Sequence, residues 1–148
     1  MKILLVSSSG GHFKQLMRIR DCLDSIHDIK IATVKRGDTK NKSDYYISEI
    51  SRNPLNFIFN LFESLKILWG YKPDLIISTG AGTALNMCLC GRFLFRKKVL
   101  YFETLARVKD LSMTGKILYH LRIPNKFMVQ WPKLKEKYKR VKYWGRVL

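Results

Sequence analysis

The chain has 148 residues, 47% of them apolar, which is enough for a folded core and too many for wholesale disorder. Its 28 Lys and Arg stand against 11 Asp and Glu, and the net charge of +17 calls for an anionic partner: nucleic acid, anionic lipid or a phosphorylated substrate. Three cysteines, Cys22, Cys88 and Cys90, are odd in number with a C-x-C spacing, which argues against a disulfide framework or structural zinc and for a reducing cytosol.

Residues 2–7 (KILLVS) form a continuous apolar run that breaks into Ser-Gly-Gly, the pattern of a buried parallel strand. The run is too short for a signal peptide's apolar core. Residues 12–23 place Phe13, Leu16, Ile19 and Leu23 on one helix face. A second strand is expected over 30–34, a basic loop over 35–43, and a third strand over 44–50. Pro54 opens a densely apolar helix over 55–71. A fourth strand over 75–78 ends in Thr-Gly-Ala-Gly, and a helix over 83–95 follows. Asn86 and Arg92 interrupt that helix, and no stretch reaches the ~18 apolar residues of a membrane span. Any membrane contact is therefore expected to be peripheral or through a partner. Further on come a strand over 98–102, a helix over 112–121, a strand over 126–130, a helical turn over 132–138 and a basic, aromatic tail over 142–148.

Strands without alternation, each followed by a helix, mean a parallel sheet covered on both faces. The fold class expected is α/β: a Rossmann-like, doubly wound parallel sheet forming a single domain over 1–148. In such a sheet the site lies at the carboxyl ends of the strands. Three strand ends carry informative residues. Ser9, Gly10, Gly11 and His12 follow the first strand, where small residues and a helix N-terminus suit phosphate. The glycines are adjacent, so this is neither the dinucleotide fingerprint nor a P-loop. His12 is a candidate general base. The bland readings are a tight turn for the glycines and a capping or surface role for the histidine. Thr79, Gly80, Gly82 and Thr83 repeat the design after the fourth strand, and two such loops side by side could cradle a diphosphate. Glu103 follows the fifth strand, as a residue that orients a sugar hydroxyl or a histidine, or as a helix cap or a salt-bridge partner of Arg107. No metal site or cofactor is expected.

Charge and apolarity point outward as well. Residues 121–148 hold nine Lys and Arg against Glu136 alone, interleaved with Trp131, Tyr138, Tyr143 and Trp144. That composition suits a nucleic-acid strand or an anionic membrane surface, and a solvated basic face is the plain alternative. The 55–71 helix carries more large apolar residues than one buried stripe needs. Phe57, Phe59, Phe62 and Trp69 are its candidate membrane contacts. Nucleic acid would not call for that surplus.

Six blocks in order, Ser8-Ser9-Gly10-Gly11-His12, Ser78-Thr79-Gly80-Ala81-Gly82-Thr83, Glu103-Thr104-Leu105-Ala106-Arg107-Val108, 111–119 (LSMTGKILY), Val129-Gln130-Trp131-Pro132 and Tyr143-Trp144-Gly145-Arg146, resemble one family across essentially the whole chain. The family is the acceptor-binding, membrane-recruiting subunit of the split UDP-N-acetylglucosamine transferase of lipid-linked oligosaccharide synthesis, with bacterial relatives in capsule and exopolysaccharide synthesis. The resemblance implies the N-terminal half of an inverting GT-B glycosyltransferase. It implies a separate UDP-sugar-binding catalytic subunit and a polyprenyl-diphosphate-linked sugar as acceptor, at the cytoplasmic face of a membrane. By analogy with the single-chain peptidoglycan N-acetylglucosaminyltransferase, Gly10, Gly11, Gly80 and Gly82 would hold the diphosphate. His12 would deprotonate the acceptor hydroxyl, Glu103 would position the acceptor sugar and Arg107 would assist with anionic groups. Eukaryotic members start with a hydrophobic anchor, so anchoring here is expected to fall to the 55–71 helix and basic residues. A nucleic-acid-binding module and a non-catalytic membrane scaffold are the readings to be set against this one.

Overall fold

A computed structural model of the chain describes residues 1–23, 27–50 and 53–147. Seven strands make one parallel sheet: β1 (Lys2–Ser7), β2 (Asp28–Thr33), β3 (Tyr45–Tyr46), β4 (Leu75–Ser78), β5 (Lys98–Phe102), β6 (Lys126–Val129) and β7 (Val141–Tyr143). Their order across the sheet is β3-β2-β1-β4-β5-β6-β7. The helices are α1 (Gly11–Leu23), α2 (Pro54–Tyr71), α3 (Leu85–Phe93), α4 (Met113–His120) and α5 (Pro132–Lys137). The expected α/β doubly wound class is the one observed.

The centre of the sheet is buried on both faces, and β1, β2, β4 and β5 each divide their side chains between two clusters. Ile3 and Leu5 pack with Phe13 and Leu16 of α1, whereas Leu4 and Val6 pack with Ile67 and Leu68 of α2 and Met87 of α3. Continuous apolar runs follow directly from that two-sided burial. The chain builds β1, β2 and β3 outward, then returns through α2 to place β4 against the other side of β1. The order reverses there, and the loops after β1 and β4 meet at that point.

Several boundaries differ from expectation. The third strand is two residues long, because Ile47 bonds back to Thr33 and the chain then leaves the ladder. The 83–95 helix splits into a 3₁₀ turn (Gly82–Ala84) and α3, which ends at Phe93. The tail holds a seventh strand, β7, with Val141, Lys142 and Tyr143 in register with Phe127, Met128 and Val129. Its last residue, Leu148, lies outside the described residues.

α2 turns a narrow, partly polar face inward. Its N-cap Asn53 accepts a hydrogen bond from Leu55 N–H, Pro54 starts the first turn, and Lys72 closes the helix in a left-handed conformation. The buried stripe is Asn60, Ser64, Ile67, Leu68 and Tyr71. Asn60 is anchored by its amide, which donates to Ser48 O (2.7 Å) and Thr83 O (3.2 Å). Large apolar side chains point outward: Phe59, Phe62 and Trp69 are 58%, 64% and 73% exposed. Leu55, Phe57 and Ile58 are exposed beside them. Among the described residues no helix is long and apolar enough to cross a membrane.

Candidate functional site

The β1–α1 and β4–α3 loops are joined through His12, the second residue of α1. Its Nδ1 lies 2.7 Å from the carbonyl oxygen of Thr79, and Thr79 Oγ1 donates to the carbonyl of His12 at 2.8 Å. A carbonyl can only accept, so Nδ1 carries a ring proton, and in the neutral ring the lone pair falls to Nε2. No protein group hydrogen-bonds Nε2 among the described residues, and the ring is half-buried. The arrangement suits an imidazole that receives a proton at Nε2.

Gly80 makes this closeness possible. Its φ is +102°, and a Cβ there would stand 3.3 Å from His12 Cε1, 3.4 Å from Nδ1 and 3.1 Å from the Tyr101 hydroxyl. Ala81 follows at φ +70°, a strained conformation for a residue with a side chain. Of the other loop residues, Gly10 also has positive φ and donates its N–H to Asp38 Oδ2 at 2.7 Å. That carboxylate, delivered by the basic loop after β2, was not foreseen. Thr39, buried at its base, pins the loop by donating to Val34 O. Gly11 is exposed and Ser9 half-buried at the start of α1. Thr79 and Thr83 are buried, so that Thr79 spends its hydroxyl on His12 while Thr83 lends its carbonyl to Asn60. Gly82 begins the 3₁₀ turn that leads into α3.

Glu103 is fully buried at the end of β5. Oε1 accepts from Thr104 N–H (2.9 Å), and Oε2 accepts from both the N–H and the hydroxyl of Ser112 (3.0 Å each). Ser112 is the N-cap of α4, so the carboxylate sits at that helix's positive end. Burial pushes the Glu103 carboxyl above its usual range, against the opposing pull of these donors and of His12. Of the two structural roles open to Glu103, helix cap and partner of Arg107, the capping arrangement is the one present. No ion pair joins it to Arg107, which is exposed on the following loop. Gln130, buried at the end of β6, ties the region together. Its amide donates to Gln15 Oε1 and Glu103 O and accepts from Val147 N–H. Sequence position alone marked Gln130 only as part of a block. Strand-end polarity combined with burial would have singled it out.

A family model described as "Oligosaccharide biosynthesis protein Alg14 like" matches residues 46–147. The chain is 30% identical to the UDP-N-acetylglucosamine transferase subunit ALG14 of Rattus norvegicus, over 99% of this chain and 82% of that protein. It is also 30% identical to the Homo sapiens protein of the same name, over 100% and 83% of the two chains. Among solved structures, UDP-GlcNAc 2-epimerase from Methanocaldococcus jannaschii superposes with a TM-score of 0.75 at 20% identity, over 95% of this chain. Acinetobacter baumannii MurG does so with a TM-score of 0.72 at 16% identity, over 89%. Both likenesses are of fold, and the chain spans 42% of each of those two proteins.

Proposed function

The chain belongs to the Alg14-like oligosaccharide biosynthesis family, a family of glycosyltransferase subunits, and from that premise we propose that it is the acceptor-binding half of a two-component inverting enzyme. In this reading a single Rossmann-like domain, folded like the N-terminal half of a GT-B enzyme, binds a polyprenyl-diphosphate-linked sugar at the cytoplasmic face of a membrane. A separate subunit holds the UDP-sugar. The observation that carries the reading is the His12–Thr79 bond, which fixes a proton-accepting Nε2 between two small-residue loops at the topological switch point.

The glycine loops with Ser9 take the diphosphate, and Gly10 must exchange Asp38 for a phosphate oxygen. Arg107 lies on an exposed loop, from which it can meet an anionic group. The acceptor hydroxyl attacks the anomeric carbon of the UDP-sugar. As the new glycosidic bond forms, the bond to UDP breaks with inversion and Nε2 takes the hydroxyl proton. Glu103 acts by holding the N-terminus of α4 beside the loops rather than by touching the sugar. The outward aromatic side chains of α2 rest on the membrane.

The test assays the chain with lipid-diphosphate-sugar and a panel of UDP-sugars, alone and with the partner subunit. The chain alone should be inactive and the complex active. His12→Ala in the complex should lower turnover by ~10²–10⁴, the usual worth of a general base. Robust turnover by the chain alone would overturn the split-enzyme reading. A variant complex within a few-fold of wild type would leave a scaffold role. Tight oligonucleotide binding without vesicle affinity would favour nucleic acid instead.

A further inference from the structure

Gly10 N–H donates to Asp38 Oδ2 at 2.7 Å, across 28 residues of chain. Helix starts are ordinarily capped by a neighbouring Ser, Thr, Asn or Asp, and three serines stand directly before Gly10. The group that takes this N–H nevertheless comes from the loop after β2. That loop, residues 34–43, carries Lys35, Arg36, Lys40 and Lys42, and Asp38 is its one acid. Its frame is built. Thr39 Oγ1 donates to Val34 O (2.6 Å) and accepts from Arg36 N–H (2.9 Å). The Tyr46 hydroxyl donates to Thr39 O (3.3 Å) and accepts from Asn41 N–H (3.0 Å).

The floor beneath the two loops is polar as well. Ser7 and Thr33 end β1 and β2 as register partners, and alternation puts them on the sheet face that α1 covers. Both are fully buried, and neither hydroxyl bonds to anything among the described residues. An acid that only capped the turn leaves these donors unexplained, whereas an anion lodged in the same place has a use for them.

We propose that Asp38 is a specificity-determining residue of the anion site: it competes, as a built-in anion, with every ligand for Gly10 N–H. In a chain of net charge +17, an open anion site at a helix start fills with any phosphate that passes. Because Asp38 must leave first, every anion is weakened by one factor, the fraction of molecules in which Gly10 is free. A lone phosphate then falls short. A ligand with further contacts, such as a diphosphate that also meets the second glycine loop, still reaches occupancy. The inference rests on the reading of the β1–α1 loop as part of the diphosphate site, and it adds what keeps stray phosphates out.

The test titrates the full chain, isotope-labelled for NMR, with inorganic phosphate and with inorganic pyrophosphate. The through-hydrogen-bond coupling between Gly10 N and Asp38 Cγ should be present in the free chain and vanish as pyrophosphate saturates it. Asp38→Ala should tighten both probes about tenfold, by the same factor. Asp38→Asn, which keeps a neutral acceptor and the shape of the loop, should tighten them about threefold. In the reconstituted complex, inorganic phosphate should inhibit Asp38→Ala at concentrations that leave wild type unaffected.

Equal affinities in wild type and Asp38→Ala, or a coupling that survives saturation, would each overturn the inference and leave the diphosphate reading standing. If the Gly10 amide ignores pyrophosphate in wild type and in both variants, the loop is no anion site, and both readings fall.

Discussion

Glu103 and Gly115 fit together as carboxylate and gap. A Cβ on Gly115 would stand 2.0 Å from Glu103 Oε2 and 3.0 Å from Ser112 Oγ, inside the first turn of α4. Alanine is favoured over glycine in a helix by ~1 kcal/mol, so propensity alone predicts that Gly115→Ala stabilises. The displaced, buried carboxylate predicts the reverse. We expect a net loss of about 1–3 kcal/mol in chemical denaturation. A midpoint equal to wild type would mean that Glu103 can move aside freely and is no fixed cap. Residue identity at a strand end signals polarity worth explaining, as it did for His12 and Glu103. It does not reveal which partners a carboxylate will meet, because Ser112 and Gly115 come from a different element.

Among the elements, α4 and α5 are held to the loop after β5 by Asp110. Its carboxylate pairs with Lys116 (2.6 Å) and Lys137 (3.0 Å) and accepts the Tyr138 hydroxyl. These partners hold it below the usual carboxylate range, with Lys116 the largest influence. A depressed acid stabilises the fold above its unfolded value and ceases to do so as pH falls through the folded one. Asp110→Asn should therefore melt lower than wild type at neutral pH, and the gap should close as pH drops below the usual carboxylate range. A gap that is constant with pH would assign the loss to packing. Helix existence was legible here from apolar spacing, and α2 was found nearly to the residue. Its outward aromatic side chains were legible as a surplus of apolar residues, but the polar residues of its inward face were not. Asn60 is buried because Ser48 and Thr83 bring carbonyls to it, and those contacts lie 12 and 23 residues away. The seventh strand escaped notice because three residues in a basic tail carry almost no periodic signal.

For the whole molecule, the proposed membrane role sets a net charge of +17 and an outward row of aromatic side chains to act on one target. Each Lys or Arg near anionic lipid adds about 1 kcal/mol, and the aromatic side chains add apolar burial that salt does not screen. The chain should bind anionic vesicles far better than zwitterionic ones, with affinity falling as salt rises. Replacing Phe62 and Trp69 together by Ser should weaken binding at least about tenfold without altering the melting temperature, since both side chains are exposed. Binding that ignores these two changes would place the membrane contact elsewhere. The order of strands and helices, the parallel sheet and the small-residue loops were determined by local pattern, because burial on both faces writes itself into consecutive residues. Tertiary structure alone decided the return through α2, which sets β4 beside β1 and brings Thr79 to His12, 67 residues apart. It also decided which side of α2 is wet, since a helix equally apolar on several sides is oriented only by what packs against it.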